Sequence, residues 1–407
     1  MFNLMLVALI GIILRYKIAF SLPFIDQKSL LHAHSHFAFA GWVTQALMAL
    51  LINYLSEINN KDYFKKYQWI LYGNLITAYG MLFTFSFFGY TFPSILFSTL
   101  SVFTSYFFAV HYWRDLNKLK TINNSIYCFK TAVIFNALSS LGPFSLAYMM
   151  ASKNIHTNGY LASVYFFLHF QYNGWFFFAC LGLLSHQLIK YGAAKQKLNA
   201  IYWLFTIACV PAYFLSALWL PIPEWLYTLI IIAVFLQLAG WVLLLNSIKT
   251  MLVSIKNSIS KLSQRLFLLC AIACTIKFCL QSASVIPSLS KLAFGFRPIV
   301  IGYLHLVLLA IITLFILAYI ITFQYVQTNT STIKGAVIFT IGIIINEVLL
   351  MLQGVADIGN QELPFINPSL LAAALVLFSG MLMINYGQRI SKDDPAHKFN
   401  SGYGSRT

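Results

Sequence analysis

Histidines inside long apolar segments are the residues of this sequence that could do chemistry. One apolar run reads LLHAHSHFAFAGW and contains His32, His34 and His36. A later run reads FFLHFQYNGWFFF and contains His169, and a third reads GYLHLVLLA and contains His305. Imidazole suits iron, copper and zinc, and two histidines from different helices can hold a haem iron axially. These histidines are therefore the predicted metal or cofactor ligands.

The histidines of the first run cannot all serve one centre. His32 and His36 are four residues apart and share a helix face, whereas His34 points elsewhere. At most two of the three can address the same ligand. Imidazoles in such positions can also hydrogen-bond a neighbouring helix or form a polar stripe at the membrane surface. Both interpretations are open from the sequence.

The segments that carry these histidines belong to a chain that lives in a membrane. Of the 407 residues, 60% are hydrophobic and only 9% are charged, whereas a soluble domain carries about 25% charged residues. A spanning helix needs about 20 mostly apolar residues, and such runs recur along the whole chain. We predict an all-α, polytopic fold with one transmembrane domain over residues 1–390, a polar tail over 391–407, and about twelve spans, near 2–24, 30–55, 67–89, 92–112, 129–150, 161–185, 200–219, 225–246, 264–286, 299–323, 333–353 and 367–387.

The distribution of positive charge predicts the orientation. The net charge of +16 does not indicate nucleic acid, because the basic residues lie in short connections between apolar runs. Most of them fall in alternate connections, and the other connections hold only Lys28, Lys153, Lys291 and Arg297. Basic loops stay in the cytoplasm. We therefore expect both termini to be cytoplasmic, with the protein in a bacterial inner (plasma) membrane.

This orientation places the histidines in one layer. Spans two, six and ten then enter from the outer face, and their histidines come early in each span. At 1.5 Å per residue, His36 and His305 lie roughly 9 Å below the outer boundary and His169 roughly 12 Å. Three helices far apart in sequence are thus predicted to bring imidazole to one depth.

The pattern resembles subunit I of the haem–copper oxidases and nitric-oxide reductases. His36 followed by FAFAGW is similar to the second-span signature of that family, and His169 with Gly174 five residues later is similar to its sixth span. The resemblance implies an oxidase subunit I-like bundle. It also implies a low-spin haem b between His36 (or His32) and His305, with His169 beside a second metal.

The sequence departs from the family at the second metal. The seventh span, AIYWLFTIACVPAYFLSALW, has no histidine where the family has two. Tyr303 replaces the high-spin haem ligand, and Phe-Gln-Tyr follows His169 in place of Pro-Glu. The second centre is therefore incomplete, which argues against the usual reduction of oxygen and leaves copper an open question.

Charged residues near the histidines could support a haem. Arg15 and Arg297 are the predicted partners of its propionates, because guanidinium pairs well with carboxylate. Lys277 and Glu347 lie inside spans nine and eleven at matching depth. We expect them to form a buried pair, since pairing is the economical way to hold both charges.

The leading hypothesis from the sequence is a haem-b membrane protein that transfers electrons or binds a diatomic gas such as O2 or NO. It implies a redox partner protein or quinol as well as the lipid bilayer, and an oxidoreductase activity stays possible. One alternative is a transporter that uses the histidines and the Lys277–Glu347 pair. Another is a haem-free protein that binds metal through its outer histidines.

Overall fold

A computed structural model describes residues 1–120, 123–290 and 296–393, with side chains up to residue 389. Over these residues the chain forms helices and no strand. Ten helices are long and apolar enough to cross a membrane, which confirms an all-α, polytopic membrane protein. Residues 391–393 extend the last helix, whereas Lys291 and the rest of the predicted tail lie outside the described residues.

The helices fall at the positions predicted from the sequence. In chain order they are α1 Phe2–Phe20, α2 Gln27–Asn59, α3 Phe64–Phe88, α4 Phe92–Leu116, α5 Asn124–Ala151, α6 157–190, α7 Lys195–Cys209 with Pro211–Ala217, α8 Glu224–Thr250, α9 Lys261–Ala283, α10 Arg297–Thr322, α11 Thr330–Ile358 and α12 Ile366–Asp393. A short helix, Leu252–Ser258, joins α8 to α9.

Two of these helices differ from the ten apolar ones. Helix α7 bends by 45° between its two parts, which together are apolar enough for an eleventh span. The bend falls at Pro211, whose ring and missing N–H interrupt helical hydrogen bonding. Helix α6 is not among these candidate spans. Polar residues in its middle, such as Gln171 and Asn173, lower its hydropathy.

Helices α2 and α10 lie at the centre of the bundle. In their most apolar windows, 67% of α2 and 78% of α10 is buried, compared with 11% of α4. Around them α11 packs along α12, and α12 packs along α1. Gly335 of α11 and Gly380 of α12 meet directly, because a Cβ on either would lie within 3 Å of the opposite backbone. Small residues at such crossings let transmembrane helices approach closely.

Ion pairs join the helix ends that the charge pattern assigns to the cytoplasm. Asp115, at the end of α4, is 1% exposed and pairs with Lys66 of α3 and with Lys118. Glu57, near the end of α2, pairs with Lys190 of α6. The helix ends that the alternation of basic loops assigns to the cytoplasm therefore lie at the same end of the bundle.

We expect Asp115→Ala to lower the stability of the detergent-purified protein. The side chain also accepts a hydrogen bond from the buried Tyr67 hydroxyl at 2.8 Å, so its removal leaves that hydroxyl unsatisfied, at a cost of about 2 kcal/mol. Lys118→Ala is the control, because this exposed side chain is 3.4 Å from Asp115 and such pairs contribute roughly 0.5 kcal/mol. Thermal unfolding would measure both, and an equal effect of the two changes would contradict the prediction.

Candidate cofactor site

A π-helical segment follows a histidine directly in each of α2, α6 and α10. The segments are Phe37–Thr44 after His36, Phe170–Phe176 after His169, and Leu306–Thr313 after His305. Such i→i+5 segments are rare and occur often at functional sites. Their wider turns change which residues face inward after the histidine. The three histidines therefore share a local structural context as well as a residue type.

Two tryptophan hydrogen bonds connect the three π-helical segments. The indole N–H of Trp42 in α2 donates to Thr313 Oγ1 of α10 at 3.0 Å, and that of Trp175 in α6 donates to Thr44 Oγ1 of α2 at 3.3 Å. Both tryptophans are buried. Because each bond joins equivalent parts of two helices, the histidines that begin these segments lie at a similar level in the bundle, as predicted.

His305 and His34 are the imidazoles that the structure brings together. They lie within electrostatic range of each other and of Arg15. His305 Nδ1 is 2.8 Å from the carbonyl of Ile301, so Nδ1–H donates there and Nε2 keeps its lone pair. Metal-binding histidines usually have such a bond on the other ring nitrogen.

The ring of His34 packs against α1. A Cβ on Gly11 would be 3.6 Å from His34 Cε1, and the Val7 carbonyl is within hydrogen-bonding range of the ring. His34 Nδ1 is buried and has no hydrogen-bond partner. Each of His34 and His305 therefore keeps one nitrogen free to bind a ligand.

His32 and His36 face a different helix from His34. The ring of His36 stacks on Phe85 of α3, with centroids 4.7 Å apart, and the ring of His32 contacts Phe85 and Tyr90. The separation of His34 from His32 and His36 follows the expected helical periodicity. The predicted pairing of His36 or His32 with His305 stays a prediction, and the interactions with His305 and Arg15 that the structure does show come from His34.

His169 is satisfied by neighbouring protein groups. Its Nε2 lies 2.8 Å from the Cys209 carbonyl and its Nδ1 lies 3.1 Å from Asn173 Nδ2. Both ring nitrogens therefore have protein partners, and the role of His169 as a metal ligand stays a prediction. Among the described residues no three His, Cys, Asp or Glu side chains are placed to share a metal ion.

The charged residues are arranged differently from the prediction. Arg15 is close to Glu347 as well as to the two histidines, whereas Arg297 is exposed at the start of α10. Lys277 and Glu347 do not pair: no ion pair between them occurs in the described part of the chain, and the neighbours of Lys277 are Cys274, Cys209 and His169. Glu347 accepts from Asn346 at 3.2 Å.

A cavity of about 430 Å³ lies nearer the predicted cytoplasmic ends of α1, α2 and α10. Its lining is mostly apolar, with Asn3, Gln45 and Asn53 among its polar members, and contains no histidine. It is therefore separate from the His34–His305 pair.

Comparisons with known proteins do not identify the chain: no protein-family model and no curated protein matches it. The assignment of a function therefore depends on the geometry of the site.

The sequence contains a further signal for the arrangement of the three histidines. His36 and His169 are each followed, five and six residues later, by Gly-Trp, and His305 is followed at the same offsets by Ala-Ile. The intervals between positions 36, 169 and 305 are nearly equal. Together they indicate three related four-helix units, each with a histidine early in its second helix, although no repeat was predicted.

Proposed function

We propose that this protein binds haem b between α2 and α10, where His34 and His305 would hold the iron, and that it transfers electrons within the membrane. The observation that carries the proposal is that His34 and His305, which interact electrostatically from helices far apart in sequence, each keep one ring nitrogen free. Iron bound by two histidines suits one-electron transfer, because six-coordinate iron has no open position for a substrate.

The surrounding residues fit this group by their chemistry. Arg15 is close to both histidines, and its guanidinium would pair with a propionate. The backbone carbonyl that accepts from His305 Nδ1–H would hold that ring in one tautomer and orientation. Glu347, close to Arg15, would fix the position of the guanidinium. Haem itself would supply the change between ferrous and ferric iron.

The proposal extends to the wider architecture. It takes all twelve helices as membrane spans of an oxidase subunit I-like bundle, with both termini in the cytoplasm of a bacterium. Arrival and departure of electrons imply a redox partner protein or a quinol. The outer position of the histidines favours a partner at the outer face of the membrane.

A second function is favoured by the geometry of His32 and His36. Their ring centroids are 6.4 Å apart, and neither ring has a hydrogen bond to any described residue. Metal–imidazole bonds of about 2.0 Å bring two rings to roughly this separation. A haem-free site for copper or zinc at the outer surface is the alternative.

The absorption spectrum and metal content of the purified protein distinguish the two. Expression with added haem should give a protein whose reduced state shows the sharp bands of six-coordinate haem b, with about one iron per chain. A colourless protein that binds copper or zinc through His32 and His36 would refute haem binding and support the alternative. A protein without haem or bound metal would refute both.

A further inference from the structure

Lys277 is a buried cation without a counter-ion. It lies in α9, is 5% exposed, and has no hydrogen bond or ion pair within the described ranges. Its ammonium group lies over aromatic rings, 4.4 Å from the centroid of Phe278 and 5.9 Å from that of Phe177. An ionisable group inside a membrane is costly to keep and usually functional. Its surroundings should therefore explain how the charge is held.

The Lys277 side chain lines a small cavity between α6, α7, α8 and α9. The space for a ligand is about 10 Å³, and the polar lining is Asn173, Cys209, Gln237 and Lys277. Asn173 Oδ1 and Gln237 Oε1 are both buried without a hydrogen-bond donor. The cavity therefore has an unpaired donor and two unpaired acceptors.

The neighbouring histidine fixes the orientation of the Asn173 amide. His169 Nε2 faces the Cys209 carbonyl, which can only accept a hydrogen bond, so Nε2 carries the proton. In the neutral ring Nδ1 must then accept a hydrogen bond. The group 3.1 Å from Nδ1 is therefore the amide nitrogen of Asn173. The amide oxygen is left unpaired as a result, and exchanging O and N would break the bond to His169.

A water molecule matches this set of groups. It can accept a hydrogen bond from Lys277 and donate to Asn173 Oδ1 and Gln237 Oε1, which satisfies all three. A site for one water needs about 10–15 Å³, which the cavity provides. An anion would pair with the ammonium but be repelled by the two oxygens.

We propose that Lys277, Asn173 and Gln237 hold one water molecule and form an internal proton-exchange site, at which the Lys277 ammonium passes a proton to that water and takes one back from it. The titratable groups that face Lys277 are His169 of α6, Cys209 of α7 and Cys274 of its own helix. Helix α8 contributes only Gln237 to the cavity. No carboxylate is among these groups, so the Lys277 ammonium is not already neutralised. A negative charge that arrives nearby would therefore strengthen the binding of the proton to Lys277. This inference does not require haem.

Radiolytic hydroxyl-radical labelling tests for the water. Radicals form at bound water and oxidise adjacent side chains, and Cys209 lines the cavity. Cys128 is the matched control, because both thiols are buried and Cys128 does not line it. In the full-length protein we expect Cys209 to be modified roughly threefold faster or more than Cys128. Equal rates would overturn the proposal. Lys277→Met should reduce the Cys209 rate to that of Cys128.

The pH dependence of thermal stability tests the proton exchange. The melting temperature of the wild type, relative to Lys277→Met, should rise across the alkaline range up to about pH 10.4, the ordinary pKa of lysine, because the buried amine loses its charge as pH rises whereas methionine has none. Lys249→Met controls for loss of an exposed lysine and should follow the wild type. A constant difference between wild type and Lys277→Met across this range would refute proton exchange, even if the water is present.

Discussion

Alanine at position 34 or position 305 should abolish the low-spin haem spectrum of this protein. If haem b is bound as proposed, either substitution removes one axial ligand and leaves the iron at most five-coordinate. We expect complete loss of the sharp reduced-state bands, together with loss of most bound haem. Absorption spectra of dithionite-reduced protein, with haem quantified as the pyridine complex, would measure both effects.

The matched controls are His36→Ala and His32→Ala. These residues lie on the same helix as His34 but contact Phe85 and Tyr90 of the α3 region, so the spectrum should be unchanged. Loss of haem in His36→Ala with retention in His34→Ala would restore the pairing expected from the family resemblance and contradict the structural assignment. Size-exclusion profiles would show that each variant is folded.

Arg15 provides a graded test of the same site. Arg15→Lys keeps the positive charge but not the two-pronged geometry for a carboxylate, and Arg15→Leu removes both. We expect haem occupancy to fall in the order wild type, lysine, leucine. Unchanged occupancy in Arg15→Leu would remove this residue from the proposed site without affecting the histidine ligands.

Gly380→Val should produce the largest loss of stability among the substitutions considered. A Cβ at this position would lie 2.5 Å from the Phe339 backbone nitrogen and 2.8 Å from the Gly335 carbonyl oxygen. Neither backbone atom can move away without separating α11 from α12. Overpacking costs typically 1–3 kcal/mol and sometimes more, and valine at a backbone contact should exceed this range.

Fluorescence-detected size-exclusion chromatography after heating would measure the effect. Gly73→Ala is the control, because its nearest neighbour would be a Thr104 methyl group at 3.5 Å, which is an ordinary contact. A melting temperature of Gly380→Val equal to that of the control would contradict the close packing of α11 on α12.

Because α11 also carries Glu347, surviving Gly380→Val protein should bind haem less well.

The amino-acid sequence by itself indicated that the chain lies in a membrane, that it is helical, and that the histidines of three helices lie at a similar level along the bundle. A chain with 9% charged residues must bury its backbone hydrogen bonds in helices when hydrocarbon surrounds it, so the fold class follows from composition. Helical periodicity separated His34 from His32 and His36. These properties depend on neighbours in sequence, which is why they could be predicted.

Only the tertiary structure decided which helix meets each face. In a membrane both lipid and protein interior are apolar, so hydropathy does not say which neighbour packs on which side of a helix. The packing of the helices places α1 beside His34 and α3 beside His36. The same limit explains why Lys277 and Glu347, although matched in predicted depth, lie among different helices. Depth is encoded locally, whereas the order of helices around the bundle depends on contacts between distant segments.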